Sequence, residues 1–368
     1  MYETILSPIE LGSLTLKNRI LFAPTSLGMR GEELEEKLWG IAAGGCAMIV
    51  LGDVPVSKRG PLSLHSAKGF GRYRRLCEIV HAEGCLICAQ LHPSDSNFKA
   101  MLRYVPGVLT KKITMEELRP LLNEQTGKLV TELPIKKVKA ITASFGEAAL
   151  LARRAGFDMV QIHGDRMCGS FSSSLLNHRN DEYGGSPANR ARFAVEAVSA
   201  VHRVLPDMPI DYKLAVRQEK PHYGNAGVLL EELPVIVPML EKAGVTSFHV
   251  ALADHGKLTD TIPPKNHPYF GAEGCFLRYC DEARKYTSLP LCGVGGLTDP
   301  DFVERQLAEG RVGCAAMSRQ LIADPAWPNK LRDGRADEIR RCIRCNKECL
   351  GGMQAHRGVH CIYEKEDD

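Results

Sequence analysis

The sequence predicts a (β/α)8 TIM barrel, because short apolar segments alternate with helical patterns along nearly the whole chain. Eight segments have the length and composition of buried strands, at residues 18–22, 47–51, 85–90, 159–163, 210–214, 247–250, 290–292 and 312–317. Helices between consecutive strands imply parallel pairing through right-handed crossovers, and closure into a barrel removes both sheet edges. An open doubly wound sheet fits the same alternation, but eight repeats favour the barrel, and no Gly-x-Gly-x-x-Gly motif marks a dinucleotide-binding first strand.

Helical patterns fill the intervals between these strands. They cover residues 32–43, 71–82, 141–155, 189–204, 230–243 and 299–308. Residues 97–134 are the least regular part of the chain, and we interpret them as an insertion after the third strand, forming either a lid on the C-terminal face or a surface excursion. We expect residues 1–335 to form the barrel and residues 336–368 to form a separate C-terminal segment.

The composition is that of an ordinary globular protein. Of 368 residues, 44% are apolar and 25% are charged, and the net charge of +3 comes without a long basic tract, so nucleic-acid binding has no support. No apolar run reaches the roughly 18 residues that span a bilayer, and the N-terminus lacks the pattern of a signal peptide. We expect a cytoplasmic protein with no membrane partner. The sequence leaves the oligomeric state open, a homo-oligomer included.

The last four of the thirteen cysteines form a cluster in the C-terminal segment. Cys342, Cys345 and Cys349 lie within eight residues, and Cys361 follows after a glycine-containing loop. Four thiolates on a compact turn are typical of a [4Fe-4S] cluster. A zinc site also uses four thiolates but usually presents two Cys-x-x-Cys pairs, of which only one is present here. The cysteine spacing favours the iron-sulfur cluster, with zinc and unliganded thiols as the alternatives.

Several segments spread over the chain resemble the old yellow enzyme family of flavin oxidoreductases. They are residues 18–24 (NRILFAP), 155–158 (AGFD), 161–164 (QIHG), 177–186 (NHRNDEYGGS), 294–300 (VGGLTDP), 317–325 (MSRQLIADP) and 342–350 (CIRCNKECL). The cysteine spacing is similar to that of the branch containing bacterial 2,4-dienoyl-CoA reductase, with trimethylamine dehydrogenase a near relative. Those relatives continue into nucleotide-binding domains, whereas this chain stops seven residues after Cys361. Either an electron-delivery module is missing from the sequence in hand, or free NAD(P)H or a separate electron-transfer flavoprotein supplies the electrons.

The resemblance implies an FMN site at the C-terminal ends of the strands. The residues at the matching positions are Ala23, Pro24, Thr25, Ser26, Gly52, Gln90, Lys213, Gly295, Gly296, Ser318 and Arg319. The amide of Gln90 can donate and accept, which suits the pyrimidine edge of the flavin ring. Lys213 replaces the family's arginine and keeps its charge without the planar fork. Without the resemblance, Gln90 and Lys213 would be solvated strand residues, and the two glycines an ordinary turn.

The resemblance also places candidate catalytic residues after the fourth and sixth strands. His163 and Arg166 take the positions that bind a substrate carbonyl, and Cys168 stands where the reductases have a proton-donating tyrosine. His255 matches a histidine that helps to protonate substrate in the dienoyl-CoA reductases. A packed cysteine, a solvated arginine and a structural histidine are the alternative interpretations.

These positions together predict an ene-reductase for a small-molecule substrate. The expected reaction is reduction of the C=C bond of an α,β-unsaturated carbonyl compound, an enoyl or dienoyl thioester, an enone or a steroid-like molecule. The main alternative is a flavin-dependent amine dehydrogenase or demethylase that passes electrons out through the cluster, because amine oxidation needs no proton donor to carbon. A third hypothesis is an electron-transfer subunit with no activity of its own.

Overall fold

The computed structural model describes residues 2–60, 62–94, 104–110 and 115–365. Its strands are β1 (Ile9–Leu11), β2 (Leu14–Leu16), β3 (Ile20–Phe22), β4 (Met48–Pro55), β5 (Leu86–His92), β6 (Met159–Ile162), β7 (Ile210–Glu219), β8 (His222–Tyr223), β9 (Val228–Leu229), β10 (Ser247–Leu252), β11 (Leu291–Gly293) and β12 (Cys314–Met317). Its helices are α1 (Glu3–Leu6), α2 (Glu32–Ala43), α3 (Ala67–Ala82), α4 (Val105–Leu109), α5 (Met115–Glu132), α6 (Ile135–Ala155), α7 (Met167–Ser172), α8 (Pro187–Val204), α9 (Leu233–Ala243), α10 (Leu258–Thr261), α11 (Leu277–Arg284), α12 (Pro300–Ala308), α13 (Arg319–Ala323), α14 (Trp327–Arg332) and α15 (Leu350–Gln354).

Eight strands form a closed parallel barrel. Around the barrel they run β3, β4, β5, β6, β7, β10, β11 and β12, and the pairing of β12 with β3 closes the ring. The predicted (β/α)8 fold is therefore confirmed, and each of the eight predicted strand segments overlaps one barrel strand. In such a barrel the loops that follow the strands build the active site.

The antiparallel hairpin of β1 and β2 covers the N-terminal end of the barrel. Leu11 and Leu16 are buried with Leu21, Met48 and Met159, which lie at or near the beginnings of barrel strands. Burying these apolar side chains at one end leaves the opposite, C-terminal end available for binding.

Part of the segment predicted as irregular is helical. The structure places α5 at Met115–Glu132, within residues 97–134, of which 97–103 and 111–114 lie outside the described residues. The end of α5 is fixed by Arg179, whose guanidinium donates to the carbonyl oxygens of Val130 and Leu133, at 2.7 Å each. Arg179 also pairs with Asp181 at 2.6 Å. This part of the NHRNDEYGGS segment therefore has a structural role.

The C-terminal segment packs on the C-terminal end of the barrel. The Gln320 side chain accepts a hydrogen bond from the Cys342 amide (2.9 Å) and donates one to the Arg340 carbonyl (3.1 Å). Lys37 of α2 pairs with Glu364 at 2.7 Å. The segment is thus attached to both the first and the last βα units. Within the described ranges no helix combines the length and the apolar character needed to cross a membrane.

Candidate flavin and iron-sulfur sites

One large cavity opens at the C-terminal ends of the barrel strands, with a volume of about 1480 Å³ including its mouth. All eleven residues predicted to contact FMN line it: Ala23, Pro24, Thr25, Ser26, Gly52, Gln90, Lys213, Gly295, Gly296, Ser318 and Arg319. They come from six strands or the loops after them, and the fold alone brings them together. The Thr25 hydroxyl donates to the Ser318 hydroxyl at 2.8 Å, which joins the loop after β3 to the loop after β12.

A lysine and two histidines line one part of this cavity. Lys213 and His249 are register partners on β7 and β10, and His163 directly follows β6. Burial, reinforced by the charge of Lys213, lowers the pKa of His163 well below its usual value and that of His249 to about 3. Burial also lowers the pKa of Lys213, and Asp165 opposes this effect. Both histidines are therefore neutral at pH 7.

The hydrogen bonding of His163 defines which ring nitrogen carries the proton. The Asp165 amide N–H donates to His163 Nδ1 at 3.3 Å. Because Nδ1 accepts, the proton of the neutral ring lies on Nε2. His163 lines the cavity and can therefore act as a single hydrogen-bond donor through Nε2.

Asp165 connects the cavity to His255. The His255 Nε2–H donates to Asp165 Oδ1 at 2.7 Å, and Asp165 lines the cavity whereas His255 does not. Burial raises the pKa of the Asp165 carboxyl, but the charges of His255 and Lys213 and the hydrogen bond from His255 outweigh it and hold the pKa well below its usual range. The result is a carboxylate at the cavity wall with an imidazole behind it.

The two other candidate catalytic residues lie in different surroundings. Arg166 is exposed and lines the cavity. Cys168 is fully buried in α7 and is not one of the cavity-lining residues. His163 and Arg166 thus line the cavity. His255 lies behind Asp165, and Cys168 is buried in the protein interior.

Two glycines shape the wall after β11. Gly295 and Gly296 have φ angles of 119° and 66°, a region that favours glycine. A Cβ on Gly296 would collide with the guanidinium of Arg344, which is 8% exposed and donates to the Gly271 and Ala272 carbonyls. The bare backbone here suits close approach of a phosphate, with Arg319 in the same wall.

The sequence analysis missed four ionisable residues of the cavity, namely Asp53, Asp165, His249 and Arg344. His249 was detectable, because it lies near the C-terminal end of the predicted strand at residues 247–250, where barrel active sites form. Asp53 carried a similar signal, since it directly follows Gly52, which was predicted to contact FMN. Arg344 lies far along the chain in the C-terminal segment, and no local pattern connects it with the barrel.

The four clustered cysteines line a second cavity beside the first. Cys342, Cys345, Cys349 and Cys361 surround it together with Arg319. In the part of the chain that the structure describes, no three His, Cys, Asp or Glu side chains converge closely enough to hold a single metal ion. A zinc ion needs its sulfur ligands about 2.3 Å from one point. The cluster remains a prediction.

Comparison with protein families matches residues 4–338 to the NADH:flavin oxidoreductase / NADH oxidase family. The chain belongs to this family. It is therefore a flavin-dependent oxidoreductase, as the resemblance to old yellow enzymes implied, and the family supports FMN as its flavin.

Two relatives cover nearly the whole chain. A bilirubin reductase of Clostridium symbiosum is 64% identical over 370 residues, covering 100% of this chain and 99% of that protein. A bilirubin reductase of Mediterraneibacter gnavus is 33% identical, and the match covers 99% of this chain and 57% of that longer protein. Among solved structures, a 2-naphthoyl-CoA reductase complex has a TM-score of 0.79 at 21% identity, covering 98% of this chain and 57% of that one. At this identity the structural match supports the fold alone.

Proposed function

We propose that this flavoenzyme reduces a carbon–carbon double bond conjugated to a carbonyl group, and that its substrate is a linear tetrapyrrole of the bilirubin type. The 64% identity to a bilirubin reductase over the whole chain carries the proposal. The donor-rich cavity supports it, because the carbonyl of a conjugated substrate needs hydrogen bonds where negative charge develops.

The cavity fits FMN. Gly295 and Gly296 offer bare backbone and Arg319 a charge for the phosphate, while Gln90 and Lys213 line the part of the cavity assigned to the ring. Bound and reduced, FMN supplies a hydride to one alkene carbon. Lys213 would stabilise the negative charge of the reduced ring and so tune its potential.

His163 and Arg166 would bind the substrate. The neutral His163 donates from Nε2 to the conjugated carbonyl, which polarises the alkene. Arg166 is exposed at the cavity and can pair with a carboxylate of the substrate, and bilirubin carries two. A planar guanidinium suits this pairing because it offers two parallel N–H groups.

His255 remains our choice for the proton donor. Asp165 accepts the His255 Nε2–H, so an imidazolium at this position is stabilised by an adjacent carboxylate. Neither residue lines the cavity, but Cys168 is the weaker choice because it is fully buried in α7, whereas His255 directly contacts the cavity residue Asp165. Asp165, which stands between His255 and the cavity, is proposed to hold the imidazole in place.

The charges of the cavity argue against amine oxidation. Four cations line it, namely Lys213, Arg166, Arg319 and Arg344. Its two carboxylates already have partners, because Asp165 is paired with His255, and Asp53 accepts from Ser26 and lies 3.8 Å from His92. An ammonium substrate would meet like charges there, whereas an anionic carbonyl compound meets opposite ones.

The C-terminal cysteines are proposed to hold a [4Fe-4S] cluster. Three closely spaced thiols and a fourth after a loop all line one cavity, which is the ligand supply that a [4Fe-4S] cluster needs, and the second Cys-x-x-Cys pair typical of zinc sites is missing. Cys342 and Cys349 line both cavities, so electrons entering from NAD(P)H or from a separate electron-transfer flavoprotein have a short path to FMN.

An anaerobic half-reaction experiment tests the proposed function. The purified protein is reduced by light and then mixed with bilirubin, with cinnamate or with an enoyl thioester, while the flavin absorbance is followed. We expect bilirubin to reoxidise the flavin fastest. A flavin that no alkene reoxidises, but that an added amine reduces without NAD(P)H, would establish amine oxidation instead.

A further inference from the structure

Four polar side chains form a continuous hydrogen-bonded chain across the inside of the barrel. Gln90 Nε2 donates to Gln161 Oε1 at 2.6 Å, Gln161 Nε2 donates to Asp211 Oδ2 at 2.6 Å, and the Ser247 hydroxyl donates to Asp211 Oδ1 at 2.6 Å. They lie on four consecutive strands of the barrel, β5, β6, β7 and β10, and each is the register partner of the next. All four are buried, between 1% and 6% exposed.

One end of this hydrogen-bonded series lies at the candidate flavin site, and the other end lies away from it. Gln90 lines the large cavity, whereas Gln161, Asp211 and Ser247 lie behind it around a small internal space. Asp211 has no cation within ion-pair distance among the described residues, and burial raises the pKa of its carboxyl to about 6. Burying an ionised carboxyl without a cation costs folding free energy. We therefore ask what Asp211 does to the side chains that it contacts.

An ionised carboxyl imposes a direction on the amides. A carboxylate only accepts hydrogen bonds, so Gln161 must turn its NH2 group towards Asp211 and its carbonyl oxygen towards Gln90. Gln90 must then use one N–H to reach Gln161. The carbonyl oxygen and the second N–H of Gln90 are then free to face the cavity, and the positions of this acceptor and this donor are fixed. If the direction of these hydrogen bonds reversed, the donor and the acceptor that Gln90 presents to the cavity would exchange places.

We propose that Asp211 is a positioning residue for the flavin: through Gln161 it fixes the order in which Gln90 presents its acceptor and its donor to the cofactor. This inference rests on the proposed FMN site. The pyrimidine edge of the isoalloxazine carries its own donors and acceptors in a defined order, so one amide orientation pairs with it and the reverse opposes it.

Two substitutions interrupt the chain at different links. Asp211→Asn keeps the shape but adds a donor, so either amide direction becomes possible. Gln161→Leu removes the relay and leaves Asp211 in place. For each variant at pH 8 we expect FMN to dissociate about tenfold more readily and the visible flavin spectrum to shift, because one hydrogen bond of the pair is lost. Since both act through one path, the double variant should match the single variants.

Ser247→Ala is the matched control. It removes the other hydrogen bond to Asp211 but leaves the direction of the amide chain unchanged, so FMN affinity and spectrum should stay within about twofold of the parent. Circular dichroism and thermal melting of the apoproteins check that all variants fold.

Wild-type affinity and spectrum in Asp211→Asn would overturn the inference, as would losses that multiply in the double variant. A parent protein that binds no FMN would instead refute the proposed flavin site itself.

Discussion

At the scale of single residues, the candidate site is defined by which groups are charged. Burial and the neighbouring lysine leave His163 and His249 neutral, whereas Lys213 and Asp165 are charged. A single buried cation beside a flavin ring has a large effect because little solvent screens it.

Replacing Lys213 tests this effect. We expect Lys213→Met to lower the reduction potential of the flavin and to slow reduction of the flavin by its electron donor by about tenfold or more, because the reduced ring loses its cation. Spectroelectrochemistry measures the potential. Lys213→Arg, which keeps the charge, should remain close to the parent, and a potential that is equal in all three proteins would contradict the assignment.

The proton donor can be identified by separating the two half-reactions. His255→Ala should slow reoxidation of the reduced flavin by the alkene by about 10² to 10⁴, the usual contribution of a general acid, and leave the reductive half-reaction unchanged. Asp165→Asn should slow the same step to a lesser degree and change its pH profile. We expect Cys168→Ser to have little effect on either step. A large loss in that variant, with none in His255→Ala, would reverse the assignment.

Asp211 also predicts a pH dependence of stability. Burial raises its pKa from 3.8 to about 6, so between those pH values the folded protein holds a proton that the unfolded chain releases. The contribution of Asp211 to stability therefore falls as the pH rises through this window, by about 3 kcal/mol in total. In thermal melting of the apoproteins, the melting temperature of Asp211→Asn relative to that of the parent should rise between pH 5 and pH 8. A difference in melting temperature that is the same at both pH values would contradict this.

At the scale of elements, the turn after β11 depends on its glycines. Gly296→Ala strains the backbone, and the new Cβ collides with Arg344, which is held by its hydrogen bonds to two carbonyl groups. We therefore expect at least about a tenfold loss of FMN affinity. Gly310 is the matched control, because its φ of 69° is nearly that of Gly296 but nothing lies within 4 Å of an added Cβ. Gly310→Ala should lower stability by about 1 kcal/mol and leave FMN binding unchanged. Equal losses of FMN affinity in the two variants would show that backbone strain alone is responsible.

The elements that the sequence predicted well are those with a strong local pattern. The apolar strand runs, such as the one at Met48–Pro55, are buried on both sides and are recognisable from composition. Helix α5 was missed because its residues show no clear apolar stripe, and its end is fixed instead by Arg179 from a distant segment. The cavity residues at strand ends were predictable by resemblance. Asp165 and Arg344 acquire their roles from contacts with His255 and with the loop at residues 271–272, which no spacing in the sequence reveals.

At the scale of the whole molecule, the C-terminal segment forms part of the flavin cavity as well as its own. Arg344 reaches the loop before α11, Asn346 accepts a hydrogen bond from Arg319 at 2.6 Å, and Glu364 pairs with Lys37. The segment is therefore attached at several separate places on the barrel. Whether residues 336–368 form a separate unit remains a prediction.

The iron-sulfur assignment is tested by metal analysis of anaerobically purified protein. We expect about four iron and four sulfide per chain, and loss of both in Cys345→Ser, which removes one thiolate. Cys280→Ser is a suitable control because this cysteine is fully buried in α11, outside the cysteine cavity. Zinc without sulfide in the parent protein would contradict the assignment.

The residues that line both cavities include Arg319, Cys342 and Cys349. Shared lining residues allow the flavin and the proposed metal centre to influence each other, and any such coupling is reciprocal: the factor by which the centre strengthens FMN binding equals the factor by which FMN strengthens binding of the centre. If the proposed metal centre strengthens FMN binding, protein made under iron starvation should bind FMN more weakly by that same factor.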